Sequence, residues 1–221
     1  MKPAVQLVLF DLDGTLIDSA PDLAAAANAM RVARSMPPLA LTALRPMVGS
    51  GARGMIGTAF GVAPGDASFE VMRNEFLSRY EAALLASTVV FEAMVPVLAR
   101  LDAAGRPWGI VTNKAERFTW PVVEGLFLHT RAAVVICGDT TPHSKPHPAP
   151  LLEAARRVGV AAESCVYIGD DQRDVQAGRA AGMATLAAAW GYLGLGLPIE
   201  AWGAHAVLPD PAALLHWLEL A

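Results

Sequence analysis

Six short apolar runs recur along this chain: Val5 to Leu9 (broken only by Gln6), Trp108 to Val111, Ala133 to Cys137, Cys165 to Ile168, Ala184 to Ala187 and Ala206 to Leu208. Each is three to five residues long, too short for a helix, and none keeps up an apolar–polar alternation. That is the pattern of strands buried on both faces of a parallel sheet. Parallel neighbours need long crossovers, and helical patterns fill the intervals at Met94 to Ala104, Arg117 to Leu126, Ala149 to Val158 and Asp174 to Ala181. The second half of the chain therefore reads as an α/β sheet of βαβ units.

The first strand is separated from the others by a different kind of sequence. From Ser19 to about Ala86 helix formers dominate and no strand pattern is visible. Ser19-Ala20-Pro21-Asp22 reads as a helix start: Ser19 can cap, Pro21 suits the first turn and Asp22 favours the positive end of the helix dipole. We therefore expect residues 18–86 to form an inserted all-helical unit, within a core made of residues 1–17 and 87–221.

Composition matters at three points. Mean hydropathy is +0.38 and 54% of residues are hydrophobic, numbers that hint at a membrane protein. But 42 of the 221 residues are alanine, which raises hydropathy while adding little buried area. The uncharged stretch Ala180 to Ile199 is long enough to span a bilayer, yet it contains Gly182, Gly191, Gly194, Gly196 and Pro198, and a buried strand with a glycine-rich loop fits better. The net charge of −4 and the lack of any Lys/Arg-rich run argue against a nucleic-acid partner. Met1-Lys2-Pro3 and a first apolar run stopped by Asp11 do not make a secretion signal, so the expected location is cytoplasmic. Cys137 and Cys165 are too few for a disulfide scaffold, and with His143 and His147 they match no common zinc spacing; buried strand cysteines are the better reading.

Four motifs lie where strands end, which in an open parallel sheet is where ligands bind. Asp11-Leu12-Asp13-Gly14-Thr15 offers two carboxylates one residue apart, able to divide nucleophilic or metal-binding work from acid–base work; an Asp-Gly turn is the alternative. Val111-Thr112-Asn113-Lys114 offers a hydroxyl and main-chain N–H groups for a phosphoryl oxygen, or a plain helix cap. In Ser144-Lys145-Pro146-His147-Pro148 the lysine is either a fixed point charge or a solvated loop residue. Gly169-Asp170-Asp171-Gln172-Arg173-Asp174 is an oxygen-rich site for a hard divalent cation, or an acidic helix start. Gly49-Ser50-Gly51-Ala52-Arg53-Gly54 satisfies the dinucleotide fingerprint by letter, but it follows no strand. A loop that brings Arg53 to an anionic substrate, or a simple turn between helices, suits it better.

In their order and placement the four motifs make the sequence resemble the haloacid dehalogenase superfamily of aspartate-nucleophile phosphatases. Within it, Thr112-Asn113-Lys114, Lys145-Pro146-His147-Pro148 and Gly169-Asp170-Asp171 are similar to the phosphoglycolate phosphatase group. Gly51-Ala52-Arg53, Arg117-Phe118, Trp190-Gly191-Tyr192 and Trp202-Gly203-Ala204 are also similar to the N-acetylmuramic acid 6-phosphate phosphatases. The resemblance implies an α/β fold with a Rossmann-like core, its parallel sheet flanked by helices, and a small helical cap inserted at residues 18–86.

The resemblance also implies a Mg²⁺-dependent phosphomonoester hydrolase acting on a small phosphorylated metabolite, with no nucleic-acid or membrane partner. Asp11 would be the nucleophile and Asp13 the acid, then the base. Thr112, the amide of Asn113 and Lys145 would bind phosphate. Asp11, Asp13 (through its carbonyl) and Asp170 would hold the metal, supported by Asp171 and Asp174, while Arg53 would bear on substrate choice. A sugar-phosphate mutase and a non-catalytic scaffold are the rival readings. Oligomeric state is left open.

Overall fold

A computed structural model describes residues 5–220. Met1, Lys2 and Pro3, on which the reading against a secretion signal rests, lie outside that range, as do Ala4 and Ala221. The chain runs β1 (Leu7–Phe10), β2 (Ile17–Asp18), α1 (Ala20–Val32), α2 (Leu41–Leu44), a 3-10 turn (Arg45–Ser50), α3 (Gly51–Phe60), α4 (Phe69–Glu81) and β3 (Val89–Val90). It continues with α5 (Met94–Ala103), β4 (Trp108–Val111), α6 (Glu116–Gly125), β5 (Val134–Ile136), α7 (Ala149–Val158) and β6 (Cys165–Gly169). The last elements are α8 (Gln172–Ala180), β7 (Ala184–Ala188), β8 (Ala206–Leu208) and α9 (Ala212–Trp217).

Six strands form one sheet in the order β5-β4-β1-β6-β7-β8, and every neighbouring pair is parallel. From β1 the chain builds outward through β4 and β5, then crosses to lay β6, β7 and β8 on the other side. The order therefore reverses at β1, and the crevice beyond the carboxyl ends of β1, β4 and β6 is the place where such a sheet receives a ligand. β1 runs one residue further than the apolar pattern suggested, because Phe10 pairs with both Ile110 and Ile168. The ladder closes with the Asp11 N–H donating to the Ile168 carbonyl at 2.8 Å.

The unbroken apolar character of β1 follows from its two covered faces. Val8 and Phe10 share a core with Val97, Leu98 and Leu101 of α5 and Val122 of α6. Leu7 and Leu9 pack with Leu151 and Ala154 of α7 and Ala177 of α8. All four β1 side chains are fully buried, each contributing about 1.5–3 kcal/mol of transfer free energy. The long uncharged stretch resolves into β7 and a glycine-rich loop, and among the described residues no helix is long and apolar enough to cross a membrane.

Helices α1 to α4 fall within the segment expected to be helical, with α1 packed on α3 and α4. Alanines allow that close approach: Ala24, Ala26 and Ala27 of α1 are buried. An unanticipated element sits where the chain enters and leaves these helices. There β2 and β3 pair antiparallel, Ile17 with Val90 and Asp18 with Val89.

Asp22 does more than meet a helix dipole. Its Oδ2 accepts the main-chain N–H groups of Ser87 (3.1 Å) and Thr88 (2.8 Å) and the Thr88 hydroxyl (2.7 Å), clasping the two crossings together. Asp22 is 3% exposed, so truncation would strand those donors. Asp22→Ala is expected to lower the unfolding free energy by about 3 kcal/mol. Urea denaturation measures this, and a loss under about 0.5 kcal/mol would reduce the clasp to a surface contact.

Candidate active site

The Asp11 carboxylate leaves the end of β1 and turns back on its own loop, accepting the Leu12 N–H at 2.7 Å. The loop can then bend only through Gly14, whose φ is +87° and whose position allows no side chain: a Cβ there would lie 2.2 Å from Asp170 Oδ2. Thr15 completes the junction by donating its hydroxyl to Asp170 Oδ1 at 2.7 Å. The Asp-x-Asp-Gly-Thr order is thus a local solution for seating β1's loop against β6's loop.

Asp11, Asp170 and Asp174 each offer a carboxylate oxygen within 4.8 Å of the others. Among the described residues this is the only group of three or more His, Cys, Asp or Glu side chains near enough to share a metal ion. Lys145 reaches into it, its Nζ 2.9 Å from Asp11 Oδ1 and 2.7 Å from Asp174 Oδ1. The same ammonium meets the Val111 carbonyl at 3.1 Å and the Tyr167 hydroxyl at 2.7 Å. Lys145 is therefore buried and fixed. The Asn113 side chain pins its loop, donating to the Lys145 carbonyl (3.0 Å) and accepting the Lys145 N–H (2.9 Å).

One ammonium among three carboxylates leaves an excess of negative charge. Burial pushes Asp11 up to about 7, against the pull of Lys145. Asp170 is raised well above the ordinary carboxylate range, by burial first and then by the charges of Asp11 and Asp174. Burial also pulls Lys145 down, but Asp11 and Asp174 outweigh it and leave the ammonium firmly protonated. A buried, all-oxygen donor set with surplus negative charge is suited to a hard divalent cation.

The other expected residues divide. Thr112 is buried at the end of β4, its hydroxyl accepting the Lys114 N–H at 3.1 Å. Asp171 stands outside the three-acid group. It caps α8, accepting the Arg173 N–H at 2.8 Å, and binds the Arg173 guanidinium through both oxygens at 2.8 Å. Asp174 closes the same capping box by accepting the Asp171 N–H at 3.0 Å. Cys137 and Cys165 are free and buried, Cys165 at the start of β6 and Cys137 one residue past the end of β5.

Asp13 has partners that the sequence did not announce. Lys114 Nζ lies 2.9 Å and 3.1 Å from its two oxygens and also donates to the Tyr80 hydroxyl at 2.7 Å, joining the Asp13 loop to α4. The Ser19 hydroxyl donates to Asp13 Oδ1 rather than capping α1. Lys114 was visible in its motif but carried no role, and an isolated Tyr80 in a helix gave no signal. A cleft of about 770 Å³ opens over these groups, lined by Asp11, Asp13, Thr112, Lys145, Asp170 and Asp174 together with Arg53, Phe76 and Tyr80 from the helices.

The sequence matches the family model described as haloacid dehalogenase-like hydrolase over residues 8–188. It is 49% identical over 208 residues to a phosphoglycolate phosphatase of Xanthomonas campestris pv. campestris, covering 94% of this chain and 93% of that one. It is 38% identical over 217 residues to an N-acetylmuramic acid 6-phosphate phosphatase of Pseudomonas aeruginosa, covering 98% and 96%. The crystal structure of a predicted phosphoglycolate phosphatase from Haemophilus somnus 129pt is similar at a TM-score of 0.84 and 25% identity, over 98% of this chain and 99% of that one. The matched span runs from β1 to the end of β7 and takes in every strand end described above. On sheet order, strand-end chemistry and sequence alike, the chain belongs to the haloacid dehalogenase-like hydrolases.

Proposed function

We propose that this protein hydrolyses small phosphomonoesters with Mg²⁺, through a phosphoryl group held transiently on Asp11. The observation that carries the reading is the gathering of the Asp11, Asp170 and Asp174 carboxylates, with the buried Lys145 ammonium paired to Asp11 and Asp174. The Asp11 carboxylate attacks phosphorus, the bond to the leaving oxygen breaks, and Asp13 gives that oxygen its proton. Asp13, now a carboxylate, takes a proton from the water that attacks the aspartyl-phosphate, releasing phosphate and restoring Asp11. Lys145, the Thr112 hydroxyl and the Asn113 N–H supply positive charge and donors to the remaining phosphoryl oxygens.

Asp11, the Asp13 carbonyl and Asp170 would hold the ion, with Asp174 in support; when bound it supplies positive charge that offsets repulsion between carboxylates and phosphate. The residues 18–86 serve in this reading as a cap over a core of residues 1–17 and 87–221, closing the cleft and selecting the leaving group. Phosphoglycolate is the first substrate choice, supported by the 49% identity to a phosphatase of that name. N-acetylmuramic acid 6-phosphate is the second, favoured by a cleft of about 770 Å³, far more room than a two-carbon acid needs. Both esters carry a carboxylate beyond the phosphate, and Arg53 lines the same cleft, a cation available to such an anion.

Side-by-side phosphate release from the two esters tests the proposal. Turnover should require Mg²⁺ and stop when a chelator is added, and the preferred ester fixes the substrate. No phosphate from either ester, or from p-nitrophenyl phosphate, would remove the phosphatase reading. Isomerisation of a sugar phosphate without net release would point to a mutase instead.

A further inference from the structure

Ser19 was expected to cap α1 and does not, so the helix start must find its acceptor elsewhere. It finds the Tyr192 hydroxyl, from a loop 173 residues later in the chain, which accepts the N–H groups of Ser19 (2.9 Å) and Ala20 (3.1 Å). The same hydroxyl donates to Asp18 Oδ1 at 3.2 Å, so both its lone pairs and its hydrogen are engaged. Tyr192 is 5% exposed. Burial, and next the charge of Asp13, hold the phenol protonated, as its donation to Asp18 requires.

Tyr192 touches two further parts of the site. Its main-chain N–H donates to Asp170 Oδ2 at 2.8 Å. The preceding Gly191 lies so close that a Cβ there would sit 2.1 Å from Asp170 Cβ. On the other side, Arg45 stacks over the Tyr192 ring with its guanidinium carbon 5.0 Å from the centroid. Arg45 also holds both oxygens of Asp18, at 3.0 Å and 2.9 Å. The Ser19 hydroxyl, freed from capping, is spent on Asp13.

From this geometry we infer that Tyr192 is a positioning residue for the acid–base carboxylate Asp13: its hydroxyl fixes the Ser19 backbone, and Ser19 in turn fixes Asp13. The inference rests on the phosphatase reading above and deepens it, because it ties the placement of the proton donor to the point where the chain enters the helices. Arg45 extends that tie to the helices themselves. The Trp190-Gly191-Tyr192 run thereby gains a purpose beyond packing: Gly191 allows the approach to Asp170, and Tyr192 bridges to Asp13.

Tyr192→Phe removes only the hydroxyl, keeping the ring under Arg45 and the N–H on Asp170. An alkyl ester (phosphoglycolate or N-acetylmuramic acid 6-phosphate, whichever turns over faster) needs a proton on its departing oxygen, whereas p-nitrophenolate departs without one. In the first turnover, before the hydrolysis of aspartyl-phosphate that both esters share and Asp13 serves as base, the variant should slow enzyme phosphorylation by the alkyl ester about tenfold and by p-nitrophenyl phosphate less than about twofold. The Mg²⁺ concentration for half-activation should stay unchanged, since Asp170 keeps its main-chain partner.

Ser19→Ala should show the same ester-selective loss in the first turnover, and the double variant should lose no more than the worse single one. Equal first-turnover losses on both esters, unchanged first-turnover rates, or multiplying losses in the double variant would overturn the inference. Asp13→Asn separates the two levels. If it shows the ester-selective loss and Tyr192→Phe does not, only the inference falls. If the first turnover of Asp13→Asn shows no such selectivity, the assignment of Asp13 as proton donor falls and takes the inference with it.

Discussion

Asp11→Asn is expected to lower phosphate release by about 10⁴-fold or more while leaving a folded protein. The amide keeps the shape of the carboxylate but has no nucleophilic oxygen, so the covalent step has no second-best attacker. The stability of the same variant makes a separate prediction. Burial holds the Asp11 carboxyl up at about 7, against an ordinary value of 3.8. Between those values the folded chain keeps a proton that the unfolded chain has lost, so the parent loses stability as pH rises through that window. The penalty approaches up to about 4 kcal/mol above pH 7 without metal. Asn carries no such charge, so the metal-free variant should gain on the parent steadily from pH 4 to pH 8. Urea titrations at several pH values, with chelator, measure the difference. A pH-independent gap would mean that the acid cluster is not the source of strain, and turnover retained in the variant would remove Asp11 as nucleophile.

What could be read in advance was whatever a strand end fixes locally. Asp11, Thr112 and Asp170 follow directly on buried apolar runs, so the sheet pattern alone put them at one edge. The prolines around Lys145 left a solvated loop lysine open, and its phosphate-binding role came from the resemblance that the four motifs carry together. The structure then added partners that no local pattern encodes. Asp13 meets Lys114 across 101 residues, and Ser19 meets Tyr192 across 173. Asp22 and Ser19 were read as parts of a helix start because both types favour that place. Asp22 does stand in the first turn of α1, but its oxygen also takes up Thr88, and the Ser19 hydroxyl goes to Asp13 without capping; only tertiary packing brings those groups near. The ribbon of β2 and β3 escaped for a different reason: two residues per strand are too few to show any period. Asp171 illustrates the converse, since an acid in a metal-like motif is consumed by the helix cap and by Arg173.

Lys145→Met should be the most destabilising change at the site, and its cost should depend on pH and on metal. The ammonium is 2.9 Å from Asp11 and 2.7 Å from Asp174, both partners and donor being largely withdrawn from water. Removing one member of a buried ion group strands the others, at about 3–5 kcal/mol. Methionine fills the same space without an ammonium, so the loss is electrostatic and not a cavity. Because Asp11 and Asp170 are already pushed upward by burial, they will answer the missing cation by binding protons more tightly still. The loss should therefore be largest at pH 8 and shrink toward pH 5, where protonation relieves the same repulsion. Lys145 itself stays charged across that range, so the trend belongs to the acids. A divalent cation can take over part of the role of the ammonium, and saturating Mg²⁺ should restore part of the lost stability by mass action. Catalysis will not recover with it, because the donor beside the phosphoryl oxygens is gone: a fall of about 10²–10³ in kcat is expected. Thermal or urea unfolding with Mg²⁺ and with chelator, at pH 5 and pH 8, gives four numbers. If the four deficits are equal, the lysine acts by packing and not by charge, and its place in phosphate binding loses its physical basis.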